Sequence, residues 1–327
     1  MKRHFSRLLV GTAVAGFVAL STPVTAFSAD WPSGPIRMVV PYPPGGASDF
    51  SGRVYADQLS KELGQPVVVE NKAGAAGEIG AQFVANATPD GYTVLLAAMG
   101  SLAINSLLPS KKQQYEFPGA FSGVSMATST PLAIVVRSDL PVKNTQELIK
   151  LAKEKPGTLT FGSAGYGSSQ HMVGEKFQQA TGIKLLHVPY KGSGPALTDL
   201  MGGQVDMVFE TMPTLMGQVN NPKLRFIAVT TKERAPTLPD VPTLAEEGVK
   251  GVDLSTRYAV LAPKGTPPDV LKTLSDAMVK SAASESLQRA ALKQGVAAVP
   301  STPEETDKAL VAEVSIWSEV VDKANLR

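Results

Sequence analysis

The sequence predicts a doubly wound α/β fold with two domains. Short apolar, β-branched runs alternate with segments of helical periodicity along almost the whole chain. Near-continuous apolar strands that alternate with helices are typical of parallel sheets covered on both faces. Roughly 300 residues follow the first N-terminal segment, and that length favours two domains over one.

The order of the predicted elements supports this class. Strands are predicted at 36–40, 67–70, 93–97, 133–137, 159–162, 184–188, 205–210, 224–230 and 258–261. Helices are predicted at 49–63, 77–87, 145–153, 168–181, 195–201, 267–281, 287–294 and 304–324. In the first helix Phe50, Val54, Leu59 and Leu63 share one face, the spacing expected of an amphipathic helix. The chain passes from one domain to the other near 130–137 and 254–262, which predicts a hinge and a ligand cleft between the domains.

The N-terminus has the form of a secretory signal peptide. Lys2, Arg3 and Arg7 precede an apolar run of 13 residues from Leu8 to Leu20, and small residues follow up to Ala26 and Ala29. A run of this length is too short to span a bilayer comfortably, so cleavage near Ala26–Ala29 and export to the periplasm are predicted. An uncleaved membrane anchor is the alternative.

The charge and the cysteine content of the sequence exclude several functional classes. Cleavage after Ala26 removes three of the 31 Lys and Arg residues and none of the 29 Asp and Glu residues, which leaves a net charge of −1. The sequence contains no block of basic residues, which argues against a nucleic-acid partner. Because cysteine is absent, thiol catalysis and cysteine-bearing metal sites are excluded. We expect neither a metal nor a cofactor.

The turn from Pro41 to Asp49 is the clearest functional signal. It joins a predicted strand to a predicted helix and contains Gly45, Gly46, Ala47 and Ser48. Adjacent glycines let the backbone approach a ligand closely, and a helix N-terminus offers unpaired N–H groups that attract anions. The turn therefore predicts a site for a carboxylate or phosphate. For Asp49, helix capping is an equally good interpretation.

A second loop of the same kind makes ligand binding the better interpretation of both. It runs from Gly162 to Ser169 and contains Ser163, Gly167 and Ser168. For any single serine, capping alone remains the simpler role. Tyr190 lies in a third strand–turn–helix segment, where it either contacts the ligand or is a buried tyrosine with an internal partner.

These motifs together resemble the Bug family, the periplasmic receptors of tripartite tricarboxylate transporters. The resemblance covers essentially all of the mature chain. It is carried by eight segments in order, namely 40–46, 69–74, 87–92, 161–165, 167–171, 188–192, 202–206 and 261–267.

The resemblance implies a two-domain periplasmic-binding-protein fold, a Venus flytrap of type II-like form with doubly wound sheets. Residues 27–132 and 257–327 would form domain 1, and residues 133–256 would form domain 2. It implies a monomer that binds a small organic carboxylate, such as a dicarboxylate, an aromatic acid or an amino acid, and that works with membrane transporter subunits. The implied ligand-binding residues are Tyr42, Gly45, Gly46, Ala47, Ser48, Asp49, Ser163, Gly167, Ser168, Ser169, Tyr190, Glu210 and Arg257.

Glu210 and Arg257 suggest different ligands. An ammonium group of an amino acid would pair with Glu210, whereas a second carboxylate would be clamped by Arg257. Arg257 equally well points to solvent or pairs with an acidic residue of the protein such as Glu210. The sequence therefore leaves the ligand open.

Two other functional classes compete with transport. An exported serine hydrolase would use a serine with His171, but neither Ser48 nor Ser163 lies in a G-x-S-x-G elbow. The sequence also contains no G-x-x-x-x-G-K-[ST] phosphate loop. A receptor that signals through a membrane sensor kinase would need the same ligand-driven closure. We therefore expect a binding protein, not an enzyme.

Overall fold

The computed structural model describes residues 31–108 and 114–324. Its strands are β1 (Ile36–Val40), β2 (Val67–Asn71), β3 (Thr93–Ala98), β4 (Phe121–Arg137), β5 (Thr160–Ser163), β6 (Leu186–Pro189), β7 (Met207–Thr211), β8 (Leu224–Val229), β9 (Ser255–Pro263) and β10 (Ala297–Ala298). Its α-helices are α1 (Ala47–Leu63), α2 (Glu78–Ala85), α3 (Met99–Leu107), α4 (Thr145–Glu154), α5 (Ser169–Thr181), α6 (Ser193–Met201), α7 (Met212–Leu215), α8 (Pro268–Ala283), α9 (Glu285–Lys293) and α10 (Pro303–Lys323). The predicted signal peptide lies outside the described residues.

The strands follow the order β2-β1-β3-β9-β4-β7-β5-β6, and β8 and β10 also pair with β4. The pairs β1–β2, β1–β3, β5–β6 and β5–β7 are parallel. All pairs made by β4 and β9 are antiparallel. The predicted parallel arrangement therefore holds in two sets of strands, β2-β1-β3 and β7-β5-β6. The strands β9 and β4, which lie between these sets, are antiparallel to each other and to their neighbours.

Strand β4 connects the two sets of strands. Residues Phe121–Pro131 pair with β9, and residues Leu132–Val136 pair with β7. The change of partner falls at Pro131, which has no backbone N–H to donate to a sheet ladder. The prediction placed this strand only at 133–137, so its first part, which belongs to the β9 side, was not recognised.

The last helix packs back onto an early one. Trp317 of α10 lies so close to Gly100 of α3 that a Cβ on Gly100 would come within 2.8 Å of the indole nitrogen. Glycine at this position therefore lets the two helices approach closely. The domain boundaries themselves stay a prediction. Within the described ranges, no helix combines the length and apolar character needed to cross a membrane.

Candidate functional site

The turn between β1 and α1 is shaped for an open helix N-terminus. Gly45 has a φ of +91°, a conformation that favours glycine, and Gly46 is the N-cap without a side-chain capping bond. The first intrahelical bond joins the Phe50 N–H to the Gly46 carbonyl, 3.0 Å away. The N–H groups of Ala47 and Ser48 precede that bond, so the helix itself gives them no partner.

Asp49 holds this turn in place. Its carboxylate accepts hydrogen bonds from the Gly45 N–H (3.1 Å), Arg53 Nε (2.9 Å) and Asn71 Nδ2 (3.0 Å). Burial alone would raise the pKa of Asp49, but the hydrogen bonds from Arg53, Asn71 and Gly45 outweigh it, so the pKa lies below its usual value. Its contacts are thus with the protein. Because the N-cap of α1 is Gly46, which has no side-chain cap, Asp49 braces the turn from within the helix and does not cap the helix.

The second loop, between β5 and α5, uses most of its polar groups internally. Ser168 caps α5 by accepting the His171 N–H at 3.3 Å. The Gly167 N–H donates to His171 Nδ1 at 3.2 Å. Ser163 Oγ lies 2.6 Å from His187 Nε2 and accepts the Gly165 N–H at 3.1 Å. Ser169 bonds outside this loop: its backbone N–H donates to Ser101 Oγ of α3 at 3.2 Å.

Four helix N-termini meet at one cavity of about 70 Å³. They belong to α1, α3, α5 and α6. The cavity is lined by Tyr42, Pro43, Pro44, Gly46, Ala47, Ser48, Ala98, Ser101, Ala164, Ser169, Gln170, Gly192, Ser193, Gly194, Pro195, Thr211, Thr256 and Tyr258. Each N-terminus carries roughly half a positive charge, so the cavity is electropositive without a lysine or arginine in its lining.

Polar groups without partners line this cavity. Ser48 Oγ and Thr256 Oγ1 are buried and have no hydrogen-bond partner among the described residues. Burial raises the pKa of Tyr42 to about 12 and also raises that of Tyr258, so both rings remain neutral. Buried polar groups are normally hydrogen-bonded. The two free hydroxyls therefore mark the positions where a polar ligand would bind.

Five of the predicted ligand-binding residues line the cavity together: Tyr42, Gly46, Ala47, Ser48 and Ser169. Gly45 and Asp49 border a separate surface cavity beside Arg53. Tyr190 lines a neighbouring cavity of about 630 Å³ and donates its hydroxyl to Asp199 at 2.8 Å. Burial and the Asp199 carboxylate raise the pKa of Tyr190 to about 12. Ser163, Gly167, Ser168 and Glu210 do not line the cavity at the four helix N-termini.

Arg257 lies on the other face of its strand. Side chains alternate along a strand, and Thr256 and Tyr258 of β9 face the cavity. Arg257 Nε instead donates to Glu313 Oε1 of α10 at 2.8 Å, and the Trp317 indole donates to the other oxygen of Glu313 at 2.8 Å. Of the roles considered for Arg257, pairing with an acidic residue is therefore the one observed, but the partner is Glu313 and not Glu210.

The sequence did not reveal several residues of the lining. Ser101, Gln170, Ser193, Thr256 and Tyr258 line the cavity but were not predicted to contact ligand. Ser193 had a usable signal, since it starts a helix directly after a Gly-containing turn. Thr256 and Tyr258 reach the site through the pairing of β9 with β3 and β4, which local sequence does not specify. Residues 31–108 and 114–324 contain no cluster of potential metal ligands.

Comparison with known proteins agrees with this geometry. Residues 52–326 match the family model of the tripartite tricarboxylate transporter family receptor. Protein BugT of Bordetella pertussis is 38% identical over 322 residues, which cover 97% of each chain. The structure of the periplasmic binding protein BugD has a TM-score of 0.85 at 35% identity, covering 91% of this chain and 99% of that one.

A solved structure with a bound ligand is also similar. MatC from Rhodopseudomonas palustris, determined with bound malate, has a TM-score of 0.82 at 28% identity, and the match covers 89% of this chain and all of that one. The shared architecture extends over nearly the whole described chain. This protein therefore belongs to the family of tripartite tricarboxylate transporter receptors.

Proposed function

We propose that this protein captures a small organic carboxylate in the periplasm by domain closure and delivers it to a tripartite tricarboxylate-type membrane transporter. The observation that supports carboxylate binding most strongly is the convergence of four helix N-termini on one cavity. The unpartnered hydroxyl of Ser48 lies at one of these N-termini. The malate bound by the related MatC is a ligand of this chemical class.

Contacts between the loops support a closed, ligand-binding conformation. The Ser169 N–H reaches across to Ser101 Oγ, and a Cβ on Gly192 would lie 3.1 Å from Pro43. Gly192 starts α6, and Pro43 belongs to the turn before α1. Groups from both predicted domains thus line the same cavity, so that a ligand contacting both would favour the closed state.

Thermal unfolding tests the proposal. The mature protein is unfolded and refolded to remove carried-over ligand, and its melting temperature is measured with mono-, di- and tricarboxylates, aromatic acids and amino acids. A ligand at about 100 times its dissociation constant adds about 2.7 kcal/mol, which corresponds to about 4 °C for a chain of this length. We expect a selective shift. A flat response across the panel would falsify carboxylate capture.

A variant of Gly46 tests the location of the site. A Cβ on Gly46 meets no atom within 4 Å, and its φ of −92° suits any residue. Gly46→Leu should therefore fold and fill the cavity, which abolishes the thermal shift. Gly34→Leu is the matched control, because Gly34 is equally unobstructed and lies outside the cavity. Unchanged ligand affinity in Gly46→Leu would place the site elsewhere.

The proposed role is binding and delivery without catalysis, as is usual for receptors of this family. His171 Nδ1 accepts a backbone N–H, and its Nε2 lies 3.6 Å from Glu175. The hydroxyl of Ser163 is buried beside His187, and Ser163 is not part of the cavity lining. These contacts support a structural role for both histidines. Loss of cellular uptake of the identified carboxylate on deletion of the gene would test delivery.

A further inference from the structure

We infer that the ligand carries one carboxylate and, at its other end, a hydrogen-bond donor such as an ammonium or hydroxyl group. A second carboxylate at that end is disfavoured. This inference rests on the proposed function, because it concerns the ligand of the same cavity. It is carried by the hydrogen bonds that surround Glu210, directly behind the part of the lining formed by Gln170, Ser193 and Thr211.

Glu210 is a buried carboxyl group that collects donors from the cavity wall. It lies at the end of β7 and is 1% exposed. Its Oε1 accepts hydrogen bonds from Gln170 Nε2 at 3.0 Å, from the Thr211 N–H at 2.7 Å and from Thr211 Oγ1 at 2.7 Å. Burial raises the pKa of Glu210, whereas hydrogen bonds from Gln170, Thr211 and Ser193 lower it in part.

The donors used by Glu210 are no longer available to a ligand. Gln170 Nε2 donates both to Glu210 and to Ser193 Oγ, 3.2 Å away, so the part of its amide left for a ligand is the carbonyl oxygen. A hydroxyl has a single proton, and that of Thr211 is directed to Glu210. Gln170 and Thr211 therefore present mainly acceptor oxygens to the cavity.

An acceptor-rich wall discriminates between ligand end groups. An ammonium or hydroxyl group can donate to the acceptor oxygens of Gln170 and Thr211, whereas a second carboxylate would place its own acceptor oxygens against them. The lining contains no lysine, arginine or histidine to compensate. Arg257, the residue expected to clamp a second carboxylate, is held by Glu313 on the opposite side of β9. Glu210 offers no positive charge in either protonation state.

The first test compares ligands that differ only at this end. Calorimetric titration of the refolded mature protein uses ω-amino acids, ω-hydroxy acids and dicarboxylates of matched length, each with three to five carbons between the end groups. We expect the donor-bearing acids to bind at least about 10-fold more tightly than the dicarboxylate of the same length. Equal or tighter binding of the dicarboxylates overturns this inference and leaves carboxylate capture intact. Absence of binding by every compound overturns carboxylate capture itself.

The second test changes Thr211 of the acceptor-rich wall and Glu210 directly behind it. Glu210→Gln keeps the size of the side chain but gives the network an extra NH₂ donor, which lets the Gln170 amide turn its own NH₂ group to the cavity. The preference for donor-bearing acids should fall about 10-fold. Thr211→Val removes one acceptor of the wall together with the hydroxyl that donates to Glu210 Oε1. It should weaken binding of the same acids, so the test does not depend on the folding of one variant.

The control variant removes Arg257, the residue that the sequence suggested as a clamp for a second carboxylate. The double variant Arg257→Gln/Glu313→Gln eliminates that ion pair without leaving a buried charge behind. It should leave the ratio of the two affinities unchanged. Loss of dicarboxylate binding in the double variant, together with an unchanged ratio in Glu210→Gln and Thr211→Val, would assign the distal end to Arg257 and overturn this inference.

Discussion

At the scale of one residue, Ser48 carries a buried hydroxyl that is available to a ligand but lowers the stability of the unliganded fold. The residue is 4% exposed in the first turn of α1, and its hydroxyl has no hydrogen-bond partner among the described residues. A buried hydroxyl that lacks a partner loses its bonds to water and gains nothing in return. Ser48 lines the cavity, where a ligand can supply the missing bond.

Ser48→Ala should therefore separate stability from binding. Removing the unpaired hydroxyl should leave the free energy of unfolding unchanged or raise it by up to about 1 kcal/mol. The same change should weaken binding of the carboxylate about 5–10-fold, because one hydrogen bond to the ligand is lost. Chemical denaturation and calorimetry measure the two effects.

Ser281→Ala is the matched control for Ser48→Ala. Ser281 Oγ is likewise buried without a partner, but Ser281 lies in α8 and does not line the cavity. It should show the same small effect on stability and unchanged affinity. If Ser48→Ala were clearly destabilising and bound ligand normally, the hydroxyl would have an internal structural role.

At the scale of the element, the N-terminus of α5 combines capping with site formation. Ser168 satisfies the His171 N–H, and Gly167 bonds to the ring of the same histidine. These bonds fix the first turn, from which Ser169 and Gln170 face the cavity. The cap thus acts on the site indirectly, by positioning the two residues that follow it.

Ser168→Ala should lower the free energy of unfolding by about 1 kcal/mol, the usual effect of losing a serine N-cap. It should also weaken ligand binding, since the first turn of α5 frays. Ser284→Ala removes the equivalent cap of α9, where Ser284 accepts the Leu287 N–H at 3.4 Å. That control should lose similar stability in denaturation experiments and keep full affinity. Equal affinity in both variants would contradict the positioning role of Ser168.

The elements also show what the sequence could and could not predict. The Gly-rich turns before α1 and α5 were predicted because strand, glycine and cap are local signals. The contributions of Thr256 and Tyr258 were not, since they depend on the pairing of β9 with strands more than a hundred residues earlier. The pairing of Arg257 with Glu313 depends likewise on where α10 packs. Local pattern predicts elements, whereas tertiary packing decides which side chains share a cavity.

At the scale of the whole molecule, Asp49 and His187 are two of the groups that link folding to pH. The lowered pKa of Asp49 means that its contribution to stability is present above about pH 3.8 and disappears as the pH falls through its folded-state pKa. His187 acts at higher pH. Burial, together with the neighbouring His171 ring stacked 3.8 Å away, lowers the pKa of His187 from 6.5 to about 3.

His187 should make the protein lose stability between about pH 6.5 and pH 3. In this window the unfolded chain protonates this histidine and the folded chain does not, so stability falls as the pH falls, at up to about 1.4 kcal/mol per pH unit. His187→Gln cannot titrate and keeps a partner for Ser163. Urea unfolding of both proteins at pH 7.5, 6, 5 and 4 should show the wild type losing stability more steeply. Parallel curves would mean that the imidazole is protonated in the folded state as readily as in the unfolded chain.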